Sequence, residues 1–461
     1  MKVVLINPYE LGRQPFALAQ PAAWLRADGF DVKCLDLSIQ RLDVDDFVDV
    51  GLIAVYLGMH TATRLAMQFV PRLREYAPSA HLCAFGLYAP MNQAVLYELG
   101  FGTLLGGESE PALHDLAKRL REGATLEPTE TPIVTMAKVP FLIPDRSGLP
   151  PLSSYAHLNM PDGTQRTVGF AEASRGCKHL CRHCPVVPIY NGRFRIVPVD
   201  IVMGDIAQQV AAGATHISFG DPDFFNGPTH ARRIVSALQR DYPQISFDAT
   251  IKVEHIINHA ELLPELAEAG CLFITSAVES VDDEVLQRLD KGHNAGDFDT
   301  AVGLLRDVDI AMSPTFVPFT PWTTLDGYIA LLQRLVKLDL VQSVPPVQLA
   351  IRLLIPEGSY LLRLGDIHEV LDPFDPAMLG YPWRHADPAV DTLQREVEQL
   401  AADEQDRPRE ALFTDIWNAA HATAGRRAPT LSINTDSTPI PHLSEAWYCC
   451  AEPTSQQLAN F

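Results

Sequence analysis

Apolar runs alternate with amphipathic stretches of helical length over the first 121 residues. Short apolar runs separated in this way are typical of right-handed βαβ units, in which helices cover both faces of a parallel sheet. The pattern therefore predicts a Rossmann-like or flavodoxin-like domain over residues 1–123. Such a domain binds its ligand at the carboxyl ends of the strands, where this sequence places Asn7, Gly58, Gly86 and the GGESE turn at 106–110. The predicted strands are VVLINP, DVKCLDLS, GLIAVYLG, HLCAFG and TLLGG.

A second alternation of the same kind covers residues 166–365. It predicts a partial (β/α)6 barrel whose functional residues lie at the carboxyl ends of the strands, as they do in complete barrels. The intervening residues 124–165 are rich in Pro, Thr and Gly without a sustained period, which indicates a linker. The expected fold class is therefore α/β, with two sheets in one chain. The six predicted strands of the barrel are RTVGFAEAS, HISFGD, ISFDATIKV, CLFITSAVE, IAMSPTFVPF and VPPVQLAIRLL.

The pattern changes again in residues 366–461. Two amphipathic segments, LQREVEQLAADEQ and REALFTDIWNAAHAT, predict helices, so we expect a small and mostly helical C-terminal region. The chain then ends in a Pro-rich tail, PIPHLSEAWYCCAEPTSQ, in which Cys449 and Cys450 are adjacent.

Composition excludes several classes of partner. The formal net charge of −21 opposes attraction to phosphate backbones, so we expect no nucleic-acid partner. No stretch approaches the ~20 apolar residues of a membrane span, and the first residues lack the pattern of a signal peptide. We therefore expect a cytoplasmic protein without a membrane partner. No GxGxxG fingerprint follows a predicted strand, which disfavours a dinucleotide.

Three of the eight cysteines form a C-x3-C-x2-C triplet at Cys177, Cys181 and Cys184. A structural zinc site normally has four protein ligands, whereas this loop offers three thiolates. Three thiolates can hold three irons of a [4Fe–4S] cluster and leave the fourth iron open to another ligand. Two other interpretations remain open at this point, namely a Cys3His zinc site completed by His179 or His183, and a chance grouping.

A loop with this spacing, directly after the first strand of a barrel, resembles the radical S-adenosylmethionine (SAM) superfamily. In that family the methionine part of SAM binds the open iron. The resemblance implies a [4Fe–4S] cluster on the three cysteines, SAM as a cofactor, a small-molecule substrate, and a reductase partner such as flavodoxin or ferredoxin.

Segments after the later predicted strands are also similar to motifs of that family. FGDPDFF is similar to the motif near the amino group of SAM, and AVESVDDEVLQRLDKG to the segment near its ribose or methionine part. KVEHI ends the third strand, and FVPFTPWTT is similar to the turn that backs the adenine, although Pro318 and Phe319 replace small residues. His183 stands where an aromatic residue is usual. Taken singly, each acidic residue is also explained as a solvated loop carboxylate. The resemblance implies these cofactor-binding residues: His183, Gly220, Asp221, Lys252, Glu254, Glu279, Ser280 and Pro318.

A Rossmann-like domain before such a barrel resembles the cobalamin-binding subclass of the superfamily. The domain order, the GGESE turn and the helix predicted after it are similar to that architecture. The D-x-H-x-x-G stretch that supplies a lower cobalt ligand is absent from the sequence. Cobalamin as a further cofactor and a purely structural N-terminal domain therefore remain as alternatives.

The ending EAWYCCAEPTSQ resembles the tail of a small family in this superfamily, named for Cys-Cys or selenocysteine before Ala-Glu-Pro. Within it, the chain is similar to the arsinothricin-pathway enzyme, which joins the 3-amino-3-carboxypropyl group of SAM to arsenite. The resemblance implies a transferase in which Cys449 and Cys450 grip trivalent arsenic, a partner suited to soft thiolates. A vicinal disulfide or a buried pair would explain the two cysteines without such a role. A cobalamin-dependent methylase and a non-catalytic iron–sulfur or metal-sensing protein remain as alternative functions.

Overall fold

The computed structural model describes residues 1–402, 407–434 and 439–445. The predicted arsenic-binding residues Cys449 and Cys450 lie outside these ranges. No helix within the described ranges combines the length and the apolar character that spanning a bilayer requires.

The N-terminal domain is built on a six-stranded sheet with helices on both faces. Its strands are β1 (Lys2–Asn7), β2 (Asp31–Asp36), β3 (Val50–Tyr56), β4 (His81–Phe85), β5 (Thr103–Gly107) and β6 (Ile133–Thr135). Its helices are α1 (Phe16–Ala27), α2 (His60–Tyr76), α3 (Tyr88–Met91), α4 (Gln93–Glu98) and α5 (Glu110–Arg121). All strand pairs are parallel, in the order β2-β1-β3-β4-β5-β6. This is the flavodoxin-like order, whose switch point lies between β1 and β3.

Each face of this sheet has its own core, because successive side chains of a strand point to opposite faces. Val4 and Ile6 of β1 pack in a cluster with Phe69 of α2. Val3 and Leu5 belong to a second cluster that includes residues of α1 and α5. A strand buried on both faces explains why β1 is a nearly continuous apolar run rather than an alternating one.

The second sheet curls into a half-barrel. Its strands are β7 (His157–Asn159), β8 (Gln165–Ala171), β11 (His216–Phe219), β12 (Ser246–Thr250), β13 (Cys271–Glu279), β14 (Ala311–Phe316) and β15 (His442–Leu443), and the hairpin β9 (Ser174–Gly176) and β10 (Phe194–Ile196) lies beside it. The order is β14-β13-β12-β11-β8-β7-β15, with the first five strands parallel. The helices here are α6 (Val186–Tyr190), α7 (Val199–Ala211), α8 (Pro228–Asp241), α9 (Val253–Asn258), α10 (Leu263–Glu268), α11 (Asp283–Leu289), α12 (Ala295–Arg306) and α13 (Leu325–Lys337). The prediction of an α/β fold with two sheets is confirmed.

The sixth predicted strand of the barrel, VPPVQLAIRLL, is not a regular strand. Residues Pro346–Leu349 form a 3-10 turn instead. A single parallel bridge joins Phe319 to Arg352, supported by the hydrogen bond from Leu353 N to Phe319 O at 2.8 Å. Pro345 and Pro346 lack the backbone N–H groups that a ladder needs, which explains why the strand is interrupted.

Residues 124–165, read from sequence as a linker, contribute β6 to the first sheet and β7 to the second. Arg146 ties this segment to the half-barrel through a buried bidentate ion pair with Asp205 of α7, at 2.7 and 2.8 Å. Its guanidinium also donates to Phe170 O in β8 at 2.6 Å. Such a planar two-bond contact fixes orientation as well as distance.

Two C-terminal helices, α14 (Pro388–Ala402) and α15 (Arg409–Thr423), pack into the same core as the half-barrel. The described chain then returns to the sheet as β15, which pairs antiparallel with β7. Beyond it, Glu445 accepts a hydrogen bond from the Tyr9 hydroxyl, just after β1. Residue 445 therefore lies at the carboxyl edge of the N-terminal sheet.

Candidate functional site

The three-cysteine loop leaves the first parallel strand of the half-barrel, β8, at its carboxyl end. Cys177 follows β9 directly, and the antiparallel pairing of β9 with β10 closes the base of the loop. Gly176 has φ +73°, and a Cβ atom there would lie 2.5 Å from Arg193 O. Glycine is therefore required at the entry to the loop, since both the backbone conformation and the space exclude a side chain.

Asn226 holds the start of the loop from the neighbouring strand connection. Its Oδ1 accepts from Lys178 N at 3.1 Å, and its Nδ2 donates to Gly176 O at 3.3 Å. The same Oδ1 lies 3.6 Å from Cys177 Sγ. Burial raises the pKa of the Cys177 thiol to about 11, so uptake of a metal by this thiol releases a proton. Sequence reasoning missed Asn226, because nothing in its local pattern marks a loop-holding amide.

Lys252 and Glu254 lie beside the loop, as the sequence places them at the end of the third strand. Lys252 precedes α9, and its Nζ lies 3.8 Å from Cys181 Sγ and 3.5 Å from Glu254 Oε2. Cys181 and Lys252 are both buried. Lys252 therefore places a buried positive charge next to the second cysteine of the loop.

Glu279 is the centre of a buried group of charges at the end of β13. His183 Nε2 lies 3.1 Å from Glu279 Oε1, and Lys291 Nζ lies 3.4 Å from the same oxygen. Burial alone would raise the pKa of Glu279, but Lys291 and His183 outweigh it and lower the pKa to about 2. Glu279 is therefore ionised at any ordinary pH. Lys291 lies in the DKG part of the segment that the sequence analysis singled out. The spacing between the two residues does not by itself show that the Lys291 side chain contacts Glu279.

The backbone at Glu279 is unusual for a residue with a side chain. Its φ is +67°, and the register with β14 shifts between Ala277 and Glu279. Ser280 N donates to Val278 O at 2.9 Å, so the strand ends in a tight turn. A bulge with strained backbone at a strand end re-aims the side chains that follow, and such strain is concentrated at functional sites.

Gly220 and Asp221, predicted to approach the amino group of SAM, follow β11. The Asp221 carboxylate is 1% exposed and accepts from Ala173 N at 2.9 Å and from the Ser174 hydroxyl. Burial raises the pKa of Asp221 to about 7. Both carboxylate oxygens are thus engaged in holding the segment before the cysteines. The part-exposed backbone of Gly220 is the accessible part of the motif.

Pro318 lies two residues beyond β14, and three strands separate β14 from β8 in the sheet. Its carbonyl oxygen accepts from Thr323 Oγ1 at 2.9 Å. Phe319, the next residue, is buried and stacks on Tyr328 with ring centroids 4.8 Å apart. The turn is therefore rigid, and the bulky Phe319 packs into the core.

Two buried polar atoms near this site have no hydrogen-bond partner among the residues that the structure describes. They are His183 Nδ1 and Ser276 Oγ. Buried polar groups in folded proteins are nearly always paired with protein, water or a ligand. Together with the three-thiol loop and its two lysines, these atoms fit an iron–sulfur cluster and a polar cofactor beside it.

The carboxyl edge of the N-terminal sheet faces the same region. Tyr56, Gly58, Gly86 and Gly107 are part-exposed there, although the strands behind them are buried. At Gly86 a Cβ atom would lie 2.7 Å from Leu57 O and 3.0 Å from the Tyr56 ring, so only glycine fits at this position. This part-exposed edge, with glycines beside the Tyr56 ring, is where cobalamin, the further cofactor that the resemblance raised, would lie.

Arg175 joins the two domains across this region. Its Nη1 lies 2.6 Å from Glu110 and 3.3 Å from Glu108, both in the N-terminal domain, and its Nε lies 3.0 Å from Glu172. Burial raises the pKa of Glu172 to about 7 in spite of the arginine. The sequence predicts that the GGESE turn lies at this edge. It does not show that Arg175, just before the first cysteine of the loop, forms ion pairs with Glu108 and Glu110 of that turn.

Comparison with curated proteins gives partial matches to tRNA-2-methylthio-N(6)-dimethylallyladenosine synthases. The protein of Pseudoalteromonas atlantica is 24% identical over 205 residues, which is 42% of this chain and 41% of the relative. That of Haemophilus influenzae is 26% identical over 174 residues, which is 34% of this chain and 36% of the relative. The chain thus spans well under half the length of these relatives.

Two groups of solved structures share the fold over most of the chain. The cobalamin-dependent SAM radical enzyme OxsB, with aqua-cobalamin bound, has a TM-score of 0.68 at 16% identity, covering 92% of this chain and 71% of that one. The radical SAM methyltransferase TsrM from Kitasatospora setae, with cobalamin and a [4Fe–4S] cluster bound, has a TM-score of 0.59 at 19% identity, covering 73% of each chain. Residues 172–323 match the Radical SAM superfamily. The matched residues contain the three-cysteine loop and strands β9 to β14, so this part of the chain is a Radical SAM superfamily domain.

Proposed function

We propose that the chain is a radical SAM transferase whose [4Fe–4S] cluster is held by Cys177, Cys181 and Cys184. The observation that carries this proposal is the three-thiol loop at the carboxyl end of β8, with Lys252 3.8 Å from Cys181 Sγ. When bound, the reduced cluster supplies the electron that breaks a carbon–sulfur bond of SAM. Lys252 and Lys291 compensate the negative charge of the thiolates, and ionised Glu279 offers an acceptor to SAM.

For the transferred group, we propose the 3-amino-3-carboxypropyl group of SAM, with arsenite as acceptor, as in arsinothricin biosynthesis. The sequence CCAEP at 449–453 supports this choice, because two neighbouring soft thiolates bind trivalent arsenic well. The net charge of −21 opposes a tRNA substrate, which the names of the partial relatives would otherwise suggest.

The anchor at residue 445 supports a role of these cysteines at the site. Glu445 is bonded to Tyr9 at the carboxyl edge of the N-terminal sheet, and Gly12 lies against it. Five extended residues reach at most about 18 Å. Cys450 follows Glu445 by five residues in the sequence, which is compatible with the proposed role of the cysteine pair.

The small product formed from SAM tests the proposal. We expect 5′-methylthioadenosine in an anaerobic, reduced reaction with arsenite, together with an arsenic–carbon product detected by mass spectrometry. Formation of 5′-deoxyadenosine as the main SAM product would refute aminocarboxypropyl transfer. A chain that cleaves no SAM under any reducing condition would instead be a non-catalytic iron–sulfur or metal-sensing protein.

Cobalamin-dependent methyl transfer to a small molecule is the second candidate, favoured by the fold shared with OxsB and TsrM. Residues at the carboxyl edge of the N-terminal sheet, among them Tyr56, Gly58 and Gly86, would then hold cobalamin, which would supply a methyl carrier when bound. S-adenosylhomocysteine formation that depends on added cobalamin would establish this function. Product formation at an undiminished rate without any cobalt would exclude it.

A further inference from the structure

Three side chains of types that bind metals lie close together beside the cysteine loop. The proposed transfer reaction assigns them no role. His179 lies inside the loop, between Cys177 and Cys181. Asp223 lies in the connection after β11, and His255 lies on α9 after β12. The half-barrel thus brings together two imidazoles and one carboxylate from three separate segments.

The ligand atoms of this group are close enough to share one ion. One atom from each residue lies within 4.8 Å of the other two. His179 Nε2 is 3.1 Å from His255 Nε2 and 3.7 Å from Asp223 Oδ2. Two nitrogens bound to one tetrahedral zinc ion lie about 3.3 Å apart, given zinc–nitrogen bonds of about 2.0–2.1 Å.

Burial and missing partners point to a ligand at this place. Asp223 is 0% exposed and His255 is 2% exposed. Asp223 Oδ2 lies 2.6 Å from His255 Nδ1, but within the described part of the chain neither atom has an assigned hydrogen-bond partner. Asp223 Oδ1 is already used, because it accepts from Phe225 N at 3.1 Å. A buried carboxylate oxygen without a donor is costly unless a cation or a proton satisfies it.

A carboxylate also lies behind the imidazole of His179. His179 Nδ1 lies 3.7 Å from Glu254 Oε2, and a carboxylate behind a metal-binding imidazole orients the ring in many sites.

We propose that His179, Asp223 and His255 bind one divalent transition-metal ion, of the zinc class, separate from the iron–sulfur cluster. Two nitrogens and one carboxylate oxygen are a donor set that zinc accepts, with a fourth position left for water. The ion would tie the middle of the cysteine loop to the connections after β11 and β12. It would therefore fix the loop between its first and second cysteines.

Metal analysis of the cluster-loaded protein tests this site, because iron then occupies the three cysteines. The reconstituted protein is dialysed against Zn²⁺ and then against metal-free buffer, and zinc, iron and sulfide are measured by mass spectrometry and colorimetry. We expect one zinc per chain in addition to the cluster iron. Co²⁺ in place of Zn²⁺ should give the visible d–d absorption of a four-coordinate site, measured as a difference from the cluster-loaded protein without Co²⁺.

Substitutions assign the ligands. His255→Ala and Asp223→Asn should each lose the stoichiometric zinc and the Co²⁺ absorption while retaining cluster iron. His259→Ala is the matched control, since His259 lies next to His255 with ring centroids 5.8 Å apart but outside the group. It should keep the full zinc content. Absence of zinc from the parental cluster-loaded protein would overturn the proposal whatever the variants do, and so would equal zinc contents in all four proteins.

Discussion

The ammonium of Lys291 lies 3.4 Å from the carboxylate of Glu279, and both side chains are buried at the end of β13. Lys291 comes from the loop after α11, twelve residues further along the chain. This ion pair therefore holds the loop after α11 against the end of β13, next to the cysteine loop. Removing one partner leaves the other charge buried without compensation, which typically costs about 3–5 kcal/mol.

Lys291→Met should accordingly lower the free energy of unfolding by about 3–5 kcal/mol, as measured by urea denaturation. The double variant Lys291→Met, Glu279→Gln should recover part of this loss, because the uncompensated charge is removed. Lys337→Met is the control, since Lys337 forms an ion pair with Asp299 at the surface and should cost less than about 1 kcal/mol. A double variant no more stable than Lys291→Met would contradict the pairing.

The cluster assignment predicts a clear pattern among cysteine variants. Replacing Cys177, Cys181 or Cys184 with Ala should abolish the brown iron–sulfur absorption and all reductive cleavage of SAM. Cys271→Ala is the matched control, because Cys271 is a buried cysteine of β13 with no place in the loop. It should retain the parental iron and sulfide content. Full iron in the triple Ala variant would show that the cluster is bound elsewhere.

The raised pKa of Asp221 predicts that the stability of the folded protein depends on pH. Burial raises its folded-state pKa to about 7, whereas an unfolded Asp titrates near 3.9. The folded state therefore binds this proton more tightly, so the contribution is complete below about pH 4 and is lost as the pH rises through 7. Asp221→Asn should flatten the decline in urea midpoint between pH 5 and pH 8. Asp241→Asn, at an exposed position, should leave the decline unchanged. Equal declines in parental protein and Asp221→Asn would disprove the raised pKa.

Local patterns were sufficient to predict most of the fold. Continuous apolar runs such as KVVLIN predict buried parallel strands, and the amphipathic segment that became α15 predicts a helix. The prediction of a sixth barrel strand was wrong, because it gave more weight to the apolar residues of the segment than to its two prolines, Pro345 and Pro346. In the site, the cysteine spacing was visible from sequence. The contacts of Lys291 and Asn226 were not, since they depend on loops that fold back over 12 and 49 residues.

The tail gives the last prediction, which rests on the proposed function. A carbon radical must meet its acceptor within a few ångströms, and such positioning can contribute on the order of 7–11 kcal/mol to a reaction step. Two thiolates near the end of the chain would provide that positioning for a soft acceptor such as trivalent arsenic. The double variant Cys449→Ser, Cys450→Ser should therefore keep its cluster and bind SAM, yet lose arsenite binding and the arsenic–carbon product.

Serine is nearly isosteric with cysteine, so the double variant should fold, and its iron content reports this independently. Cys34→Ser is the matched control, because Cys34 is a buried cysteine of β2, in the N-terminal domain. Arsenite binding is measured by isothermal titration calorimetry under reducing conditions, and the product by mass spectrometry. We expect the loss only in the tail variant. If that variant turns arsenite over at the parental rate, the two cysteines do not bind the substrate. Another thiol or a bound cofactor must then bind arsenite.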